Sequence, residues 1–312
     1  MRPPFFEDLP VGARFESAPS LTLTEGHAAL HQAIAGDRLR LALDRELGEA
    51  VLGPGPPLAH PALVWDVAIG QSTVATGRVI ANLFYRGLLL RRPVRLGDTL
   101  HTTTEVVARR ENRSRPTGLV VLRIRTVDQQ DRPVLDFTRC AMLPLRDEPT
   151  GEPGDEVGGA ADLEADALEA AVAGYDLSAL PQDAGIAEGE LEGGDVVDSA
   201  PALARLTLNV AMAHLDATRA AHGQRLVYGG HTIAIAAAQA SRAAPDLVTI
   251  LGWHAADHTG PVFEGDTLRS RIDVERRDPL PGRGELVHLR SHVTAVERDE
   301  HVLDWRFVGV LA

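Results

Sequence analysis

Asn209 and His214 stand five residues apart in the stretch Leu206-Thr207-Leu208-Asn209-Val210-Ala211-Met212-Ala213-His214-Leu215-Asp216, and chemistry is to be sought there first. Side chains three or four apart share a helix face, whereas side chains five apart do not. The pair therefore reads as a loop constellation aimed at a common point. An imidazole, with an ordinary pKa near ~6.5, serves as general base or acid at neutrality. An amide orients water but cannot take its proton. Asp216 follows two residues after His214 and either orients it or caps the loop.

Tyr228-Gly229-Gly230-His231-Thr232 comes next, ahead of an apolar Ala/Ile-rich run. Its two glycines let backbone approach a ligand closely, and the free N–H groups of a helix start there would polarise a carbonyl oxygen. Gly230 and His231 are the leading candidates within it. In the first half, Asp37 follows Ala35-Gly36, but Ala42 stands five residues further on, where the second half has His214. His60-Pro61 also precedes an apolar run, yet Pro61 has no N–H to offer. His254 and His258 are spaced like a metal pair, but no matching ligand cluster accompanies them, and no metal is expected. Gly97-Asp98 and Gly265-Asp266 read as turns. Cys140 reads as a packed thiol on an apolar strand.

The elements that must hold these groups follow from the pattern along the chain. Leu21-Thr22-Leu23 alternates like a strand, and Thr24 is placed to cap a helix that Gly36 ends with a left-handed residue. After a Pro/Gly cluster, Ala62 to Ile80 has the length and composition of a buried helix, with Trp65, Ile69 and Val74 as core candidates. From residue 81 the texture changes to β-branched and apolar strands separated by Arg/Asn/Gly/Asp turns. A long helix followed by consecutive strands, without β-α alternation, predicts an α+β fold with an antiparallel sheet.

Residues 1–145 form a first unit, 146–190 an acidic Ala/Gly/Pro-rich linker expected to be solvated, and 191–312 a second unit. The second unit repeats the first. Pro93-Val94 and Gly97-Asp98-Thr99-Leu100 return as Pro261-Val262 and Gly265-Asp266-Thr267-Leu268, an offset of 168 (261 minus 93). Without a gap, the same offset carries Arg109 to Arg277, Val134-Leu135-Asp136 to Val302-Leu303-Asp304, and Gln71 to Gln239. Loops absorb insertions first, so a constant register marks a duplicated helix-plus-sheet unit. Two such units would hide their exposed edges by pairing them into one sheet.

Composition narrows the function. The chain has 312 residues, 44% hydrophobic, with a net charge of −13, which disfavours nucleic acid and anionic membrane as partners. All 31 basic residues are arginine, which removes Schiff-base and lysine-base chemistry. A single cysteine excludes an internal disulfide and suits a reducing, cytoplasmic setting. No run approaches the ~18 apolar residues that a membrane helix needs.

The order of strand, short helix, polar loop, long buried helix and strands bearing Pro-Val-x-x-Gly-Asp-Thr-Leu resembles the hotdog fold of the MaoC-like, (R)-specific enoyl-CoA hydratases. Phe5-Phe6-Glu7-Asp8, Thr24-Glu25-Gly26 and Ala81-Asn82-Leu83 are similar to mesaconyl-CoA hydratases, or methylmalyl-CoA dehydratases, and related actinobacterial double-hotdog proteins. The resemblance implies a double hotdog: two tandem units, each a long helix wrapped by a sheet, joined edge to edge. It implies a hydro-lyase of acyl-CoA metabolism, fatty acid metabolism included, that needs no cofactor because coenzyme A belongs to the substrate. It leaves room for a homodimer. Asn209 then occupies the position of the family's catalytic Asp, His214 that of its catalytic His, and Tyr228 to His231 lie against the thioester. Asp37 and His60 mark a first-half pseudo-site, which the resemblance gives no reason to bring to His214. Arg86 and Arg92 are among several arginines that could meet coenzyme A phosphates. Because Asn209 replaces the Asp, an acyl-CoA thioesterase and a non-catalytic acyl-thioester-binding protein stand as alternatives.

Overall fold

The computed structural model describes residues 2–150, 154–159, 162–180, 185–220, 223–281 and 284–312. The linker stretches 151–153, 160–161 and 181–184 lie outside the described residues. The first unit opens with two short strands, β1 (Arg14–Phe15) and β2 (Leu21–Thr22), and the helix α1 (Glu25–Ala35). Thr24 accepts from the His27 N–H, and Gly36 closes the helix at φ 67°, which puts Asp37 just beyond its end as expected. Short helices α2 (Arg40–Leu43) and α3 (Arg45–Leu52) lead to α4 (Pro61–Ser72). Every residue of α4 is buried, as an all-round apolar helix requires. It is shorter than the sequence suggested: the chain leaves the helix at Thr73 for a tight turn, and Val74 is only partly buried there.

Strands β3 (Ala81–Leu89), β4 (Thr99–Glu111), β5 (Thr117–Val127) and β6 (Pro133–Pro144) complete the unit. After the linker helix α5 (Ala165–Val172) come β7 (Gly189–Glu190), β8 (Asp195–Val196), α6 (Ala200–Leu206), α7 (Met212–Leu215) and α8 (Gly229–Ala243). Strands β9 (Leu247–His258), β10 (Thr267–Pro279), β11 (Glu285–Ala295) and β12 (Glu300–Leu311) follow. The strands run in the order β1-β4-β5-β6-β3-β9-β12-β11-β10-β7, with β2 paired to β4 and β8 to β10. The architecture is the expected α+β double hotdog, with the sheets of the two units joined edge to edge.

The repeat is visible in detail. Strands β4 and β10, and β5 and β11, have identical bounds after the offset of 168. Gln71 and Gln239 each donate to a strand carbonyl, Leu100 O and Leu268 O, which are themselves related by 168. At the seam, β3 and β9 pair antiparallel, with Phe84 opposite Asp257 and Leu89 opposite Gly252. These two pairs interchange under the offset, so the junction has a local two-fold character. Trp65 of α4 and Trp253 of β9 meet at 4.7 Å over this seam, and Trp305 packs on Trp253 at 5.9 Å.

The linker departs from its expected solvated character. Leu168, Ala171 and Val172 of α5, together with Leu177 and Leu180, are buried in a second apolar cluster with Leu41, Leu58, Leu89, Val248 and Leu251. The acidic residues around them hide a short apolar stripe that alternates with alanine, too brief for periodicity to reveal.

Gly252 approaches the carbonyl of Leu88 so closely that a side chain there would collide with it. Gly252→Val should lower stability by about 1–3 kcal/mol, the range for overpacking a tight contact. Urea unfolding of the two proteins side by side checks this, with an unchanged midpoint as the contrary result.

Candidate active site

The loop carrying the Asn/His pair is held from both ends. Leu208 adopts a left-handed φ of 58° after α6, which turns the chain sharply. The Val210 N–H then donates to Thr73 Oγ1, and the Met212 N–H to Gly77 O, both in the first unit. Arg139, fully buried on β6, steadies that same turn by donating to Thr76 Oγ1 at 2.6 Å and Ser72 O at 3.3 Å. The α4 helix also comes so near that a side chain on Gly70 would collide with Thr207 O. One unit therefore sets the backbone on which the other presents its imidazole.

His214 lies on the one-turn helix α7, and its Nδ1 is 2.9 Å from Leu226 O. A carbonyl only accepts, so Nδ1 carries the proton and neutral His214 keeps its lone pair on Nε2. Burial pushes its pKa down to about 4; the Leu226 bond opposes this and the Arg139 charge adds to it. His214 is thus a neutral imidazole with a free acceptor nitrogen above about pH 4.

His214 lines a cavity of about 400 Å³ between the two units. Asn82 of β3, Gly229 and Thr232 of α8, His258 at the end of β9, and Arg115 from the β4–β5 turn line it as well. Both side-chain heteroatoms of Asn82 are buried without a partner among the described residues, as is His258 Nε2. Gly229 is the first residue of α8, so its N–H has no intrahelical acceptor. A side chain at 229 would fall within 2.7 Å of His258 Nε2. The Tyr228 ring stands 5.8 Å from the His214 ring, with its hydroxyl turned away to donate to Asp66 O at 3.0 Å.

Several expectations are corrected. Asn209 does not line the cavity: its Oδ1 accepts from the Ala211 N–H at 2.9 Å, a cap within its own loop, and its Nδ2 is buried without a partner among the described residues. A five-residue spacing here joins a turn to the next helix instead of aiming two side chains at one point. Asp216 is exposed and accepts from Thr218 N and Oγ1, so it caps the following turn, while Leu226 O takes the orienting role. Gly230 serves the packing of α8 on α4, where a side chain would strike Asp66 Oδ1 and the Tyr228 hydroxyl. His231 is fully buried, has no partner for either ring nitrogen among the described residues, and does not line the cavity.

Asp37 and His60 meet each other in the first half, with His60 Nε2 3.0 Å from Asp37 Oδ1. Burial would raise the Asp37 pKa, but His60 and the Leu39 N–H outweigh it and leave it lowered. The His31 ring lies 5.5 Å from that of His60, tilted by 32°, and its Nε2 is 3.2 Å from Asp66 Oδ2. Complete burial raises the Asp66 pKa against the pull of His31. Arg86 pairs with Asp257 at 2.6 Å and Arg92 with Asp128, so both of these arginines are internally engaged.

The first unit has a counterpart cavity of only about 30 Å³. Under the offset of 168, Asn82, Gly229, Thr232 and His258 correspond to Ile250, Pro61, Val64 and Leu90, all of which line that counterpart. Ala171 and Tyr175 of the linker line it too. This contrast, polar in one copy and apolar in the other, was written in the sequence and identifies Asn82, Thr232 and His258 better than local motifs do. Arg115 and Arg139 had no such signal.

Comparison with known proteins agrees with this architecture. No protein-family model matches the chain. It is 30% identical over 296 residues to the mesaconyl-CoA hydratase of Cereibacter sphaeroides, covering 89% of this chain and 86% of the relative. The chain belongs to the MaoC-like double-hotdog family that contains this hydratase. It is also 27% identical over 310 residues to the β-methylmalyl-CoA dehydratase of Chloroflexus aurantiacus, covering 94% of this chain and 88% of the relative. A conserved hypothetical double-hotdog protein of Mycobacterium tuberculosis superposes with a TM-score of 0.86 at 48% identity over 99% of each chain.

Burial pushes the His231 pKa down to about 4. A depressed histidine pKa means that the unfolded chain binds the proton more readily, so its effect on stability is absent at neutral pH and grows as pH falls from about 6.5 to about 4. His231→Leu, which installs the residue found at its counterpart Leu63, should raise stability at pH 7 by about 1–3 kcal/mol by removing an unpartnered buried polar group. It should also flatten the loss of stability below pH 6. Denaturant unfolding at pH 7 and pH 5 checks both statements.

Proposed function

We propose that the chain is a hydro-lyase acting on an acyl-CoA thioester, adding water to an enoyl group or removing it from the (R)-3-hydroxyacyl form. The observation that carries the reading is His214: a neutral imidazole fixed by Leu226 with its Nε2 lone pair free, in a cavity that the start of α8 also lines. In the hydration direction, Nε2 takes a proton from water as the oxygen attacks the β-carbon. The Gly229 N–H at the helix start faces the charge that develops on the thioester oxygen. The relatives named for mesaconyl-CoA and β-methylmalyl-CoA support a thioester of this kind. No helix among the described residues is long and apolar enough to cross a membrane; a cytoplasmic location and a homodimer belong to the same proposal.

Crotonyl-CoA and mesaconyl-CoA test it, with enoyl absorbance and free thiol followed together. Loss of absorbance without thiol release is the expected result. Thiol release would mark a thioesterase, and binding with neither signal would mark the non-catalytic alternative that the Asn209 cap favours. His214→Ala should lower kcat by about 10²–10⁴-fold, the usual contribution of a positioned general base. A variant that folds and keeps full activity would remove His214 from the mechanism.

A further inference from the structure

The hydro-lyase reading leaves one place unfilled. The residue at the family's carboxylate position, Asn209, is spent on capping its own loop and does not reach the cavity. A single imidazole can take a proton from water, but a water held by one hydrogen bond is free to swing about it, and reaction in an enzyme needs a fixed near-attack geometry. A second group is required that accepts from the water and lies in the same cavity.

His258 has these properties. It is the last residue of β9 and lines the same cavity as His214. It is seated by the edge of the Tyr85 ring at 5.8 Å and by Gly229, whose missing side chain leaves room for Nε2. Nε2 has no hydrogen-bond partner among the described residues. A buried, unpartnered polar atom costs about 1–3 kcal/mol, and the fold does not demand it, because the counterpart Leu90 occupies the equivalent place with an aliphatic side chain. The titratable groups around it are His214 on α7, Tyr228 before α8, Tyr85 on β3 and Arg115 at the β4–β5 turn, with Arg139 near His214 on β6. None of them is a carboxylate that would hold a second proton on His258. Burial, then the neighbouring His214, lowers its pKa to about 4, which keeps it neutral with one nitrogen free to accept.

We propose that His258 is a second catalytic residue, which holds the reacting water by accepting a hydrogen bond from it while His214 takes the other hydrogen as a proton. This rests on the hydro-lyase reading. In hydration, the water O–H bond to His214 Nε2 breaks, its oxygen forms the bond to the β-carbon, and the C=C electron pair moves onto the thioester as an enolate. The enolate collapses as the His214 imidazolium returns its proton to the α-carbon. One water is consumed, both imidazoles end neutral, and dehydration follows the same path in reverse. His258 thereby takes over the water-holding part that a carboxylate plays in the family pattern, from the end of β9 in the same unit.

The test uses the full chain with the enoyl-CoA that it hydrates fastest, comparing wild type, His258→Leu and His258→Gln for kcat, KM, the pH–rate profile and thermal unfolding. The Leu variant, which copies position 90, is expected to fold with unchanged or higher Tm, to lose about 100-fold or more in kcat, and to keep KM within about threefold. The Gln variant, which retains an acceptor oxygen, is expected to recover at least about tenfold of that loss. A folded Leu variant with kcat within about threefold of wild type overturns the proposal, as does a Gln variant no better than Leu. If the Leu variant does not fold, His258→Phe takes its place under the same criteria. Wild type inactive on every enoyl-CoA would instead bring down the hydro-lyase reading, whereas active wild type with an equally active Leu variant brings down the role of His258 alone.

Discussion

The pairing of β3 with β9 is the contact on which the other features depend. It joins two sheets that would each expose an edge, and it fixes α4 against α8 in the layer above. With the helices so placed, the turn after α4 reaches the loop before α7, and the two hydrogen bonds from Val210 and Met212 become available. The cavity is a consequence. Ile80 to Leu83 enter it from the first unit, and His214, Gly229 and His258 from the second. Neither unit contains the site alone.

The two copies have diverged in a consistent direction. Where the second copy kept an open, polar cavity, the first filled its equivalent with Leu90, Val64 and the linker residues Ala171 and Tyr175. Filling an unneeded hole gains apolar burial, while an open hole lined by unpartnered nitrogens loses it.

Much of this was legible in the chain. The offset of 168 predicted two units and their edge-to-edge junction, and Thr24, Gly36 and the apolar α4 and α8 segments marked helices where helices stand. The site was legible only in part. His214 was singled out by a motif and does line the cavity, but the surroundings of Asn209, Asp216, Gly230 and His231 depend on which groups lie close to each, and sequence spacing does not carry that information. The buried face of α5 was hidden because alanine looks neutral in composition, yet packs as well as any residue against a close neighbour. Subtracting one copy from the other would have found Asn82 and His258, since a polar residue opposite an aliphatic one at the same fold position has no packing reason to be there.

The covalent joining of the two hotdogs has a kinetic meaning too. Tethered partners meet at an effective concentration in the millimolar range for short flexible connections, and α5, docked along the way, shortens the free path further. The halves therefore find each other in a first-order event that dilution does not slow. A cavity whose walls come from both halves then survives at copy numbers where two separate chains of this size would drift apart.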